Sequence, residues 1–165
     1  MNNLEELEKK YEELGKEIER LKNEKKNVRW RAETQEHYYY INSVVTTDDD
    51  IEDDYDADID RYNTGNYFKT REQAEKQLKK LKIYMQLKDL ALRLNNGEKI
   101  DWDNGEQNKY KIYYNCGYDK LSYDAWSTIQ ELGAIYCLDI NFYKEALEEI
   151  GEENLKLLFG VENEL

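Results

Sequence analysis

Residues 37–60 read HYYYINSVVTTDDDIEDDYDADID. The opening five, His37 to Ile41, put three consecutive tyrosines before a β-branched residue, and Asn42-Ser43 breaks the run, so a strand is expected over residues 37–41. From Asp48 to Asp60, nine of thirteen positions are carboxylates and none is basic. Self-repulsion at that density costs stability. Such a run is either tolerated in a solvated loop or kept for a use, which could be a cation, a basic partner or the imitation of nucleic-acid phosphates.

Downstream, Gly65 is followed by Asn66-Tyr67-Phe68, a second short strand, so the acidic run reads as the long connection between two strands. Thr70-Arg71-Glu72-Gln73 has capping-box spacing and opens a helix. Its apolar face is expected to be Ala74, Leu78, Leu81 and Met85, continued by Leu87, Leu90, Ala91 and Leu94 up to Asn95-Asn96-Gly97.

The rest of the chain repeats this order. Residues 110–115, YKIYYN, mirror the first aromatic strand down to its terminal Asn, and Ala134-Ile135-Tyr136-Cys137 mirrors Asn66-Tyr67-Phe68. Asp139 stands where Thr70 stood, and Leu147 and Ile150 match Leu78 and Leu81 at a constant offset. Gly151 ends that helix, and Leu155, Leu158 and Phe159 mark a last short one closed by Gly160. Gly117 to Gln130 takes the place of the acidic run, with far less charge and with Trp126. The expected class is α+β: two degenerate strand-loop-strand-helix units, 30–97 and 98–165, forming a small antiparallel sheet with helices packed on one side.

Upstream, Leu4, Leu7, Tyr11, Leu14, Ile18 and Leu21, then Lys25 and Val28, follow 4-3 spacing. This heptad seam makes residues 1–29 a coiled-coil helix. So narrow a stripe is not stable alone and needs a partner, either its own chain or, as expected here, a second copy in a homodimer.

The net charge of −13 is unevenly spread, with residues 33–66 and 95–165 acidic and 67–94 basic. It excludes binding to nucleic acid or anionic membranes through a global basic field and favours a basic protein partner. The charged fraction is 37% and the apolar fraction only 39%, but fifteen Tyr, three Trp and three Phe supply area for a core. Cys116 and Cys137 lack CxxC pairing and read as free thiols of a reducing cytoplasm. No leader is recognisable and no apolar run is long enough to span a bilayer, so a soluble protein of the host-cell cytoplasm is expected.

Catalytic signals are weak. His37, the single histidine, lies in an aromatic strand and reads as a packing residue; neither cysteine has a local histidine, and no nucleophile elbow, phosphate-cradling loop or paired-histidine motif occurs. A non-enzyme without cofactor or metal is expected. Calcium is an alternative: Asp54, Asp56, Asp58 and Asp60 occupy the first, third, fifth and seventh positions of a calcium loop, but Ile59 and Gly65 stand where Gly and a bidentate Glu are needed. Residues 101–106, DWDNGE, are a similar incomplete fragment. Mimicry of nucleic acid is the sharper reading, because carboxylates along an extended chain repeat at about 3.3 Å, close to the charge rise of a DNA strand. Tyr55, Tyr62 and Tyr67 would add rigid anchors among them.

The stretches YYYIN at 38–42, GNYFKTREQAEK at 65–76, IGEE at 150–153 and LFGV at 158–161, with the Asp-rich segment between the first two, resemble small proteins encoded by phages and prophages of low-GC Gram-positive bacteria. The similarity covers roughly residues 30–162, leaving the coiled coil as a variable addition, and its motifs imply a shared fold. Similarity of type to anti-CRISPR proteins implies an inhibitor of a bacterial defence nuclease. Asp48, Asp49, Asp50, Glu52, Asp53, Asp54, Tyr55, Asp56, Asp58 and Asp60 are then the expected partner-binding residues. The runner-up is a phage structural or assembly accessory organised by its coiled coil; the third is a calcium-dependent binding module.

Overall fold

The aromatic run forms the strand its composition predicts, β1, His37–Ile41. A computed structural model of the chain describes residues 9–16, 18 and 29–161. It pairs β1 antiparallel with β2, Thr47–Ile51, in a register that sets an aspartate opposite each tyrosine: Tyr38 faces Asp50, Tyr39 faces Asp49 and Tyr40 faces Asp48. The acidic run is therefore not one long loop. Its first three aspartates belong to a strand, against the low β-propensity of Asp, because they stand opposite tyrosines across the ladder and two of them, Asp49 and Asp50, meet arginines from other elements.

The run then becomes a helix, α1, Asp56–Thr64, with Tyr55 at the N-cap position. The Asp58 carboxylate reaches back to accept from the backbone N–H groups of Tyr55 (3.1 Å) and Asp53 (3.2 Å), satisfying donors that the helix start leaves open. Asp56 and Asp58 in the first turn also suit the positive end of the helix dipole. Gly65 ends α1 in the left-handed region (φ 81°), where its missing Cβ removes the steric penalty.

The expected strand at 66–68 shrinks to one bridge. Tyr39 and Phe68 exchange both backbone hydrogen bonds, at 2.9 and 2.8 Å, on the side of β1 away from β2. The Asn66 amide extends this pairing by donating to the Ile41 carbonyl (2.8 Å) and accepting from its N–H (2.7 Å). Thr70 then opens α2, Arg71–Leu94, with the Thr70 hydroxyl accepting from Gln73 N–H and the Gln73 side chain from Lys69 N–H.

The chain divides into two units, Met1–Asn42 with Thr47–Ala74 and Ser43–Thr46 with Glu75–Leu165, and the division falls within α2 rather than at 97/98. The stripe of α2 differs from the expected one accordingly. Ala74 and Leu78 are buried, and so are Ile83, Leu87, Leu90 and Ala91, while Leu81 and Met85 are exposed. At about 100° per residue the second group lies roughly opposite the first, so the buried side changes over at Leu81.

In the second unit, β3, Lys109–Asn115, and β4, Lys120–Trp126, form an antiparallel hairpin, and β5, Tyr136–Cys137, pairs with the other edge of β3. The stretch Gly117–Gln130, expected as a connection, thus supplies β4. Ile112 and Leu121 face a core made with Ile83, Leu87, Leu90 and Ala91 of α2, Phe142 and Ala146 of α3 (Phe142–Glu149), Ile150, and Leu155 of α4 (Glu152–Leu158). The class is α+β, but the strands make two small sheets and not one. The units do share an order: a hairpin whose first strand is central, then a short pairing on that strand's free edge. A tryptophan ahead of each hairpin packs on a tyrosine of that last segment, Trp30 on Tyr67 (5.8 Å between centroids) and Trp102 on Tyr136 (4.9 Å).

Residues 9–16 are helical, and the seam residues Tyr11, Leu14 and Ile18 are 83%, 61% and 50% exposed. Leu4, Leu7, Leu21, Lys25 and Val28 lie outside the described residues. No helix among the described residues is long and apolar enough to cross a membrane.

Candidate functional site

The acidic segment sorts into inward and outward carboxylates. Glu52, directly after β2, is buried, and the Arg31 guanidinium grips it with two bonds, Nε to Oε2 (3.0 Å) and Nη2 to Oε1 (2.9 Å). The Tyr67 hydroxyl donates to the same carboxylate (2.6 Å), as does Asp54 N–H (3.0 Å). The Arg31 hydrogen bond, opposed by burial and helped by the Tyr67 hydroxyl, lowers the Glu52 pKa to about 2. Burial, and then the bond to Glu52, pushes the Tyr67 phenol up. Tyr67 stacks on fully buried Tyr38 at 3.9 Å, and Tyr62 meets its edge at 5.6 Å.

Tyr38 leads to the second buried carboxylate. Its hydroxyl donates to Asp58 Oδ1 (2.6 Å) and accepts from Arg61, which also donates to Asp50 Oδ2 (2.7 Å) and lies 3.7 Å over the Tyr40 ring. Burial raises the Tyr38 pKa, and the Arg61 hydrogen bond holds the Asp50 carboxyl below its usual value. On the other face of the hairpin, Asp49 takes Arg71 (3.1 Å) and His37 Nδ1 (3.3 Å). Asp54 shares Arg31 at 2.9 Å. Five of the ten expected binding residues, Asp49, Asp50, Glu52, Asp54 and Asp58, are therefore paired with cations inside the first unit, Asp53 accepts from the Gln35 amide, and Glu52 and Asp58 are inaccessible to any partner.

The remaining carboxylates point outward. Asp48, Asp53, Asp56 and Asp60 are exposed, and among the described residues no cation lies within ion-pair distance of them. Tyr55, 71% exposed, stands among them, with Ile59 one turn further along α1. Of the expected anchors, Tyr67 is buried and Tyr62 is half-buried against it, with Arg29 covering its ring at 4.0 Å.

The calcium pattern does not survive folding. Its positions from Asp56 onward are on a helix, Asp58 is filled by backbone donors and Tyr38, and Asp54 by Arg31. In the 101–106 fragment, Asp101 and Asn104 accept from the backbone of Asp103 and Glu106. No group of three or more His, Cys, Asp or Glu among the described residues is placed to hold a metal ion. Cys116 is exposed and Cys137 is buried in the core of the second unit, both as free thiols.

Two sets of residues escape a reading of the sequence. The arginines that hold the carboxylates, Arg31, Arg61 and Arg71, come from outside the run or its end and carry no spacing signal. Lys109 and Lys111 are buried charges on β3; alternation with Ile112 would place Lys111 on the opposite face but not inside. The chain matches no family model, no curated protein and no solved structure.

Proposed function

We propose that this chain is a non-enzymatic, phage-encoded inhibitor that docks on a basic nucleic-acid channel of a bacterial defence nuclease, a CRISPR effector being the first candidate. The observation that carries the reading is the sorting of its carboxylates. Fold-internal charge is matched by arginine, whereas Asp48, Asp53, Asp56 and Asp60 stand outward around exposed Tyr55 with no cation among the described residues in ion-pair reach. Uncompensated surface charge speeds encounter with a basic partner, and a rigid aromatic sets the dissociation rate. The contact surface is formed by one strand end, one loop and one helix face; a continuous extended chain is not needed.

The test is an inhibition assay against a panel of purified RNA-guided nucleases, following binding of target DNA. The wild-type chain is expected to block at least one of them, and less so as salt rises from 50 to about 300 mM. Replacing Asp48, Asp53, Asp56 and Asp60 together with Asn should leave the far-UV spectrum and melting temperature intact and weaken inhibition at least about a hundredfold. Inhibition that survives this substitution, or a panel without any inhibited member, rejects the proposal.

A second reading, an assembly accessory acting as a homodimer, is favoured by one observation, the exposed apolar positions Tyr11, Leu14 and Ile18 along the heptad seam.

A further inference from the structure

The second unit contains a cavity of about 300 Å³ between α2, β3, the segment leading into β5 and the end of α4. Its walls are mainly apolar, with Tyr84, Leu87, Ile112, Ile135, Leu158 and Phe159. One charged side chain is built into them. Lys111 is 9% exposed, and its ammonium pairs with Glu131, whose side chain is 52% exposed. The same ammonium lies 5.8 Å over the Trp126 ring, whose indole N–H is buried and has no acceptor among the described residues.

Buried donors are normally satisfied, and a buried ammonium is costly without an anion beside it. Among the described residues the one carboxylate on Lys111 is that of Glu131, a half-exposed side chain that can swing into water at small cost. The wall at Lys111 thus offers one ammonium served by a removable partner, at the edge of an apolar chamber, with the unpaired Trp126 indole packed behind it and outside the lining. Pockets of this size with apolar walls and a few fixed polar groups are the usual form of a small-ligand site.

We propose that this cavity binds a small amphipathic carboxylate, an aryl or medium-chain acid, whose apolar body fills the chamber and whose carboxylate displaces Glu131 from Lys111. The site lies within the second unit and is independent of the acidic face.

Octanoate and 2-naphthoate are the probes, each against its neutral counterpart, octanol and 2-naphthalenemethanol. Binding is read by calorimetry and by amide shifts in the nuclear magnetic resonance spectrum of the full chain. The acids should bind about tenfold more tightly than the alcohols, with shifts centred on residues 84–87, 111–113 and 131–135. Glu131→Gln removes the competing anion and should tighten the acids several-fold while leaving the alcohols unchanged. Lys111→Met should erase the preference for acids; because that variant leaves Glu131 on the surface, a loss of fold would itself show in the amide spectrum, and Glu131→Gln decides the matter alone. Equal affinity for acids and alcohols, shifts centred elsewhere, no binding at millimolar probe, or an acid affinity that Glu131→Gln fails to raise would each overturn the site.

Discussion

Arg31 holds two carboxylates at once, Glu52 with both edges of its fork and Asp54 with one, and the first of these is buried. Planar bidentate geometry is what arginine alone supplies, and lysine would leave one oxygen of Glu52 with only its neutral donor, Asp54 N–H or the Tyr67 hydroxyl. Removing the arginine strands a buried charge, which costs about 3–5 kcal/mol. The same pair sets the response to acid. The Glu52 pKa is about 2 against an ordinary value of 4.5, so its contribution is complete above about pH 4.5 and is lost as pH falls toward 2. A drop of that size corresponds to roughly 3 kcal/mol. An acid titration followed by far-UV circular dichroism should show the native protein losing stability between about pH 4.5 and 2. Arg31→Met should shift that loss toward neutral pH and lower the denaturant midpoint. An unchanged acid profile in Arg31→Met would mean that the pair does not hold the first unit together.

At the scale of elements, the β1–β2 hairpin carries a strained turn. Val45 takes φ 61°, in the left-handed region that a β-branched residue enters at a cost of about 1–3 kcal/mol. Val45→Asn keeps the backbone and suits that region, so it should raise stability by about 0.5–1 kcal/mol, readable as a higher melting temperature; a lower one would show that the Val45 side chain contributes more than its backbone costs. The strands on either side differ in how far they could be read. β1 was legible because Tyr-Tyr-Tyr-Ile states its preference locally. β2 was not, since Asp48-Asp49-Asp50 favours a strand only after Arg61 and Arg71, distant along the chain, have met Asp50 and Asp49. β4 was hidden for a related reason: Lys120–Trp126 is a mixed run whose pairing is dictated by β3 across the turn. In α2 the capping residues are readable from four letters, but periodicity gives a single apolar stripe where the buried side changes over midway, which leaves Leu81 and Met85 exposed. For the candidate site, charge density was legible and pairing was not, so residues as different as Glu52 and Asp48 looked alike.

For the whole molecule, a formal charge of −13 does not say where a partner meets it: the arginine–carboxylate pairs of the first unit cancel within that sum, and the excess is carried by carboxylates outside them. Within the acidic run, what remains outward is a small set on one strand end, one loop and one helix. If the heptad seam joins two copies, each assembly presents that set twice, and avidity exceeds single-site affinity where the partner's geometry allows both to engage. Deleting residues 1–28 should convert a dimer to a monomer in sedimentation and weaken, without abolishing, inhibition. An unchanged sedimentation profile would remove the seam as a self-association element.

The paired arrangement of Trp30 on Tyr67 and Trp102 on Tyr136 gives each unit an intrinsic fluorophore seated against its own short edge segment. With Trp126 and one of the other two replaced by Phe, the surviving indole reports on a single half of the chain. The sequence of events in unfolding, one half before the other or both together, then becomes visible in emission spectra without any attached label.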